Sequence, residues 1–161
     1  MSAATYAPLP TKVQMIPPKI QMHKAIMWEN DSHSLTVGYL LWLIGFTGAH
    51  RFYYGKPLTG LLWFCTFGLL GVGWLIDAFL LPSMDSSADY RFVSGNQDYG
   101  LAWILLVLGG VFGLHRFYQG KIISGVVFLL TGGLFLLGWI YDLFTLNSQI
   151  DYSNRLFRSG Y

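Results

Sequence analysis

Apolar positions fall into two pairs of long runs with short polar breaks between them. The first run opens near Leu35 and meets charge at His50 and Arg51. Stopped at Thr47 it falls short of the ~20 residues a membrane-crossing helix needs, and carried through to Tyr54 it reaches that length. The second run covers residues 58–81, with Pro57 in its first turn and Pro82 just past its end. A third run from about Gly100 to Tyr118 and a fourth over 122–146 repeat the design. The pattern predicts an all-α integral membrane protein with four transmembrane helices.

The repetition extends to individual residues. Residues 48–81 align without a gap onto 113–146, and nearly half of the aligned positions are identical. Gly-Ala-His-Arg-Phe-Tyr-Tyr-Gly-Lys in the first copy answers Gly-Leu-His-Arg-Phe-Tyr-Gln-Gly-Lys in the second. His50 pairs with His115, Arg51 with Arg116, Lys56 with Lys121, Trp74 with Trp139 and Asp77 with Asp142. Shared His, Arg, Lys and Asp are not produced by apolar composition alone. The chain therefore divides into a proline-containing tail (1–34), a first hairpin (35–82), a polar linker (83–98), a second hairpin (99–147) and a polar tail (148–161). Two helices per copy make the hairpins parallel repeats about an axis along the membrane normal. Both termini and the linker are then expected on one side, and both His-Arg turns on the other. The balance of basic residues is nearly even, and the termini are assigned to the cytoplasm because a long unsignalled tail is easier to leave there than to export.

Composition narrows the class further. Hydrophobic residues make up 53% and charged residues 11%, against roughly 25% charged in soluble domains, so the chain cannot supply a polar shell. A net charge of +2, scattered along the chain, argues against nucleic acid. The single cysteine, Cys65, excludes an internal disulfide framework. No secretory signal precedes the first run. Residues 20–28 mix Met22, Ile26, Met27 and Trp28 with His23 and Lys24, which admits a short helix on the membrane surface or a disordered lead-in.

The His50, Arg51, Phe52, Tyr53, Gly55, Lys56 segment, repeated as His115, Arg116, Phe117, Tyr118, Gly120, Lys121, carries the most information. One reading makes it a contact for a partner or an anionic lipid headgroup. The other makes it a structural cap: cations matched to the helix dipole, aromatic anchors, and a glycine that closes the helix. Both copies keep Arg before Phe-Tyr and Lys after Gly, so the arginines are expected to make a specific contact to a phosphate, a carboxylate or carbonyls, and the lysines to be generic charges. Asp77 and Asp142 are expected as interfacial acids. Asp77 lies nineteen residues after Leu58, ~28 Å along a straight helix. That places it near the far end of the span, on the opposite membrane face from His50, with Lys24 or Arg91 as a partner. Gly60, Gly68, Gly109, Gly113, Gly125 and Gly133 are assigned to helix packing. Neither a nucleophile elbow nor a phosphate loop is present, and the four histidines lack ligand spacing, so no catalytic residue, metal or cofactor is expected.

The Gly-x-His-Arg-Phe-Tyr-x-Gly-Lys segment, followed by a glycine-rich apolar helix ending Trp-x-x-Asp, resembles the transmembrane-two (TM-two) domain family. The resemblance covers about 35–81 and again 99–146. It implies a helix, a short turn and a second helix per copy, where single copies are usual. Animal members imply regulation of signalling at membranes, with the turn in the cytosol. The His-Arg-Phe-Tyr form resembles the bacterial branch and implies the bacterial cytoplasmic (inner) membrane. The expected role is a multi-pass scaffold or accessory protein that packs against itself or other membrane proteins within the lipid. A small oligomeric channel or transporter is the first rival, and would need Asp77 and Asp142 or the His-Arg pairs along a wet path. A membrane enzyme is the remote one.

Overall fold

The computed structural model describes residues 31–44 and 47–160; residues 20–28, the candidate surface helix, lie outside them. In the first copy α1 (Leu35–Ile44), α2 (Ala49–Tyr53), α3 (Pro57–Leu70) and α4 (Val72–Arg91) follow one another. The second copy has α5 (Tyr99–Gly109), a 3-10 turn (Gly110–Phe112), α6 (Leu114–Tyr118), α7 (Ile122–Phe135) and α8 (Leu137–Arg158).

None of the four expected spans is one continuous helix. The first in each copy is interrupted just before the His-Arg pair, where Gly48 and Gly113 take φ of 71° and 75°. Only glycine enters that left-handed region freely, and the chain doubles back there. Its return is fixed by tyrosine hydroxyls: the Ser34 N–H donates to Tyr53 Oη at 2.7 Å, and the Asp98 N–H to Tyr118 Oη at 2.8 Å.

The second span of each copy turns sharply in its middle. Phe67, Gly68, Leu69 and Leu70 have positive φ, as do Gly132 through Leu136. Left-handed backbone costs about 1–2 kcal/mol per non-glycine residue, so the turn needs support. Thr66 and Thr131 provide it. Thr66 Oγ1 donates to the Leu62 carbonyl at 2.7 Å and accepts from the Leu69 N–H at 3.1 Å. Thr131 does the same with Val127 (2.6 Å) and Leu134 (3.0 Å). The threonine thus takes up an N–H freed where the helical ladder fails. Across the second break α7 and α8 are bent by 116°. Among the described residues, no single helix is long and apolar enough to cross a membrane; only the bent pair α7 and α8 is, by length and composition.

These reversals correct the expected layout. The tight turns after α2 and α6 lie beside the linker and the far end of α8, not across from them. Arg91 Nη1 donates to the Gly55 carbonyl at 2.9 Å, and Lys121 Nζ bonds to Gln149. Most of the expected polar tail belongs to α8, which runs on to Arg158, and α4 takes up the expected linker as far as Arg91. What remains is fastened to one face of α8. Val93 N–H donates to Asp151 Oδ1 and Gln97 N–H to Asn154 Oδ1, both at 2.9 Å, while Asn154 Nδ2 donates back to the Val93 and Gln97 carbonyls. Residues three apart share a helix face, which is why Asp151 and Asn154 reach the same strip of linker.

The glycines divide into two kinds. Gly60 and Gly125 lie against the Phe52 and Phe117 rings, where an added Cβ would come within 2.7 and 2.8 Å. Gly109 is similarly covered by Leu114. Gly68 and Gly133, expected on the same packing faces, instead sit at φ of 66° and 69° inside the breaks. Gly113 marks a reversal, so Gly109 and Gly113 do not form one helical step.

Candidate functional site: two buried His-Arg-Asp clusters

Each short helix before the tight turn presents His and Arg side by side, and each break returns an aspartate to them. His50 Nε2–H donates to Asp77 Oδ2 at 2.7 Å. Arg51 grips the same carboxylate with both arms, Nε to Oδ2 at 2.8 Å and Nη2 to Oδ1 at 2.5 Å. The second copy repeats this: His115 Nε2 to Asp142 Oδ2 at 2.7 Å, Arg116 Nε to Oδ2 at 2.9 Å and Nη2 to Oδ1 at 2.8 Å. Each guanidinium also covers an aromatic face, Arg51 3.6 Å from the Trp63 centroid and Arg116 3.9 Å from that of Phe128. His50, Asp77, His115 and Asp142 have no exposed surface.

This geometry corrects two expectations. Asp77 and His50 are in contact rather than on opposite faces, because the left-handed turn at 67–70 folds α4 back along α3. The partners of Asp77 are His50 and Arg51, while Arg91 is spent on Gly55, and Lys24 lies outside the described residues. Of the three partners considered for the arginines, the carboxylate is the one in place, held by a planar fork that lysine cannot copy. A buried carboxylate is tolerable only when paired and hydrogen-bonded; Asp77 accepts three such bonds and Asp142 four.

The rest of the motif serves the same cluster. Phe52 lies edge-on to Phe144, with centroids 5.2 Å apart. The Tyr53 and Tyr118 hydroxyls hold the chain starts. Gly55 and Gly120 take φ of 68° and 74°, and the Lys56 and Lys121 N–H groups close the turns onto the Arg51 and Arg116 carbonyls at 2.8 and 2.9 Å. The two clusters differ at their edges. Gln149 Nε2 donates to Asp142 Oδ1 (3.2 Å) and Thr145 Oγ1 (2.8 Å), and Lys121 Nζ donates to Gln119 Oε1 at 2.7 Å and to Gln149 Oε1. Met84, buried, stands at the aligned position in the first copy. Sequence reasoning missed Trp63, Phe128, Thr66 and Thr131. The threonines had a legible signal, being the same polar residue at the same register of two otherwise apolar runs. Among the described residues, no group of His, Cys, Asp or Glu is placed to hold a metal ion.

Fold and site together define a helical protein of two tandem modules, each closed by an internal ion cluster. The TM2 domain profile matches residues 31–79 and 95–144, well over half of the chain, and the chain belongs to the TM2 domain family, with the domain present twice. Members of this family are membrane proteins. A TM2 domain-containing protein of Dictyostelium discoideum is 54% identical over 52 residues, 32% of this chain and 38% of that relative. TM2 domain-containing protein 1 of Homo sapiens is 53% identical over 53 residues, 33% of this chain and 25% of the relative. The Drosophila melanogaster protein biscotti is 44% identical over 54 residues, 34% of this chain and 30% of its own length. The chain thus spans less than half the length of the curated relatives it matches. These relatives are eukaryotic, so the bacterial branch and the bacterial inner membrane inferred from His-Arg-Phe-Tyr have no support. No solved structure matches the chain.

Proposed function

We propose that the chain is a non-catalytic multi-pass scaffold or accessory protein of a eukaryotic membrane, acting by packing against other membrane proteins or against itself. Its apolar helical pieces fill the lipid layer as two hairpin modules. One observation carries the reading: large apolar side chains lie outside while ionisable groups are sealed within. Leu70, Phe79, Ile123 and Phe135 are each more than 80% exposed, whereas His50, Asp77, His115 and Asp142 are sealed inside. In water such a surface would aggregate; in lipid it is the expected exterior, and ionisable groups turn inward and pair. Asp77 and Asp142 are each gripped by a histidine and by both arms of an arginine, which suits a structural lock better than a transport path.

The test is recovery from membranes. The full chain should resist alkaline carbonate extraction and, after mild detergent, co-purify with a stoichiometric membrane partner or a second copy. A monodisperse monomer without partners would sink the scaffold role. Periodic labelling of engineered cysteines by a water-soluble thiol reagent along α3 or α7 would replace it with a channel.

A further inference from the structure

Two grooves meet at Lys121 in the second copy. One, of about 710 Å³, runs along α7 between Ile122, Ile123, Val127, Phe128 and Leu134, with Arg116 in its wall. The other, of about 620 Å³, is lined largely by polar side chains, among them Gln97, Gln119, Ser148, Gln149 and Tyr152. Lys121 lines both.

The polar groove holds unused hydrogen-bonding capacity. Lys121 donates to Gln119 Oε1 and Gln149 Oε1, leaving a third ammonium proton. The same contact fixes the Gln119 amide with its oxygen towards the lysine, and its Nε2 is buried without a partner, as is Gln97 Oε1. Buried amide atoms are seldom left so unless something else satisfies them. The first N–H groups of α7 have no partner within the helix, and Ile122 and Ile123 bring that end to the apolar groove. Arg116 and Lys121 also answer a single carboxylate, Asp142, which leaves an excess of positive charge where the grooves join.

We propose that this junction binds one anionic phospholipid with a hydroxylated headgroup: an acyl chain in the α7 groove, the phosphate at Lys121 and the opening of α7, and headgroup hydroxyls at the Gln97 and Gln119 amides. The proposal rests on the membrane reading given above. It belongs to the second copy alone. At the aligned positions the first copy has Tyr54 and Met84, both buried, for Gln119 and Gln149, and Ser32, bonded to Asp89, for Gln97. Its α3 opens with Pro57, which has no N–H to offer.

The experiment reads the lipids retained by the full chain. The protein is first shown to resist carbonate extraction; a chain that washes off defeats the membrane reading and this proposal together. It is then purified from nanodiscs of phosphatidylcholine doped with phosphatidylinositol, phosphatidylglycerol or phosphatidylserine, and bound lipid is measured by mass spectrometry. Phosphatidylinositol and phosphatidylglycerol should be enriched over phosphatidylcholine by about fivefold, the scale expected of one interfacial cation. Lys121→Met should abolish the enrichment, and Lys56→Met, at the matching turn, should leave it intact. Gln119→Leu should bring phosphatidylinositol down to the phosphatidylserine level, and its melting temperature shows whether the variant is folded. Equal retention of all lipids, or equal loss from Lys56→Met and Lys121→Met, overturns the proposal. Displacement of the lipid by soluble inositol phosphate assigns the site to a free phosphate ester and overturns the lipid assignment, while leaving the membrane reading standing.

Discussion

The side-chain amide of Asn147 donates to the backbone carbonyl of Tyr53 at 2.7 Å, joining residues 94 positions apart. It also donates to the Phe52 carbonyl at 3.2 Å and accepts from Trp103 Nε1 at 2.6 Å. One α8 residue thereby binds the first copy's motif to the first helix of the second copy. Asn147→Ala would strand these buried groups, at roughly 1–3 kcal/mol for each one left unsatisfied. The variant should be cut by protease within 92–98 while both modules stay folded; cleavage no faster than wild type would mean that the linker bonds to Asp151 and Asn154 suffice.

The arginines should not tolerate lysine. Arg51→Lys keeps the charge and gives up both the fork on Asp77 and the stack on Trp63, so several degrees of melting temperature in defined lipid should be lost. Arg116→Lys should lose somewhat less, since its stacking partner is Phe128 and indole is the stronger cation-binding face. Lys56→Arg and Lys121→Arg should be near neutral. Equal, small effects of all four exchanges would reduce the clusters to generic charge matching.

Removing the acid should be worse than either exchange. Asp77→Asn leaves Arg51 buried without its counter-charge, a change that costs about 3–5 kcal/mol in comparable ion pairs. A double variant, Arg51→Met with Asp77→Asn, should recover part of that loss. A double variant less stable than Asp77→Asn alone would show that the pair is not the source of the effect.

Glycines with the same sign of φ should differ in cost. At Gly120 an added Cβ meets nothing within 4 Å, whereas at Gly113 it would lie 2.7 Å from the Phe128 Cβ and 3.0 Å from the Gly125 carbonyl. Gly120→Ala should cost only the left-handed backbone term, about 1–2 kcal/mol. Gly113→Ala adds a clash that no rotamer relieves and should greatly lower the yield of folded protein. Matching melting temperatures would contradict the close approach of α6 to α7.

Beyond the apolar stretch of α4, burial and the neighbouring Asp89 and Asp31 push the Asp85 carboxyl from 3.8 up to about 6. Its folded value lies above its unfolded one, so the native state holds the proton more tightly. Stability from this group is therefore highest below pH 3.8, falls as pH rises to about 6, and stays low above that. Melting curves of wild type and Asp85→Asn should part over that window, with the variant the more stable at its upper end. Parallel curves would remove Asp85 as their cause.

The sequence revealed the repeat, the helical class and the residues of the motif, because those are carried by spacing and identity along one strand of text. It hid the pairing of His50 with Asp77. Apolar runs of membrane-spanning length imply straight rods, and a straight rod separates those two residues. Gly68 and Gly133 were visible, but a glycine in an apolar helix reads equally as a packing surface or as a break. What decides between them is Thr66 and Thr131 two residues earlier, a cue that has meaning only once the helical ladder is known to fail there. Asn147 carried no signal because two of its three partners are backbone carbonyls, which every residue possesses.

The internal ion clusters make the duplicated segment a unit of electroneutrality. Within each copy the arginine of the cluster is matched by an aspartate only 26 positions away, so neither copy borrows a charge from the other. A gain or loss of one whole copy leaves no stranded ion in the interior, whereas a boundary drawn between the motif and its aspartate would. The three relatives match over stretches of 52 to 54 residues, long enough to hold one such self-balanced piece whole.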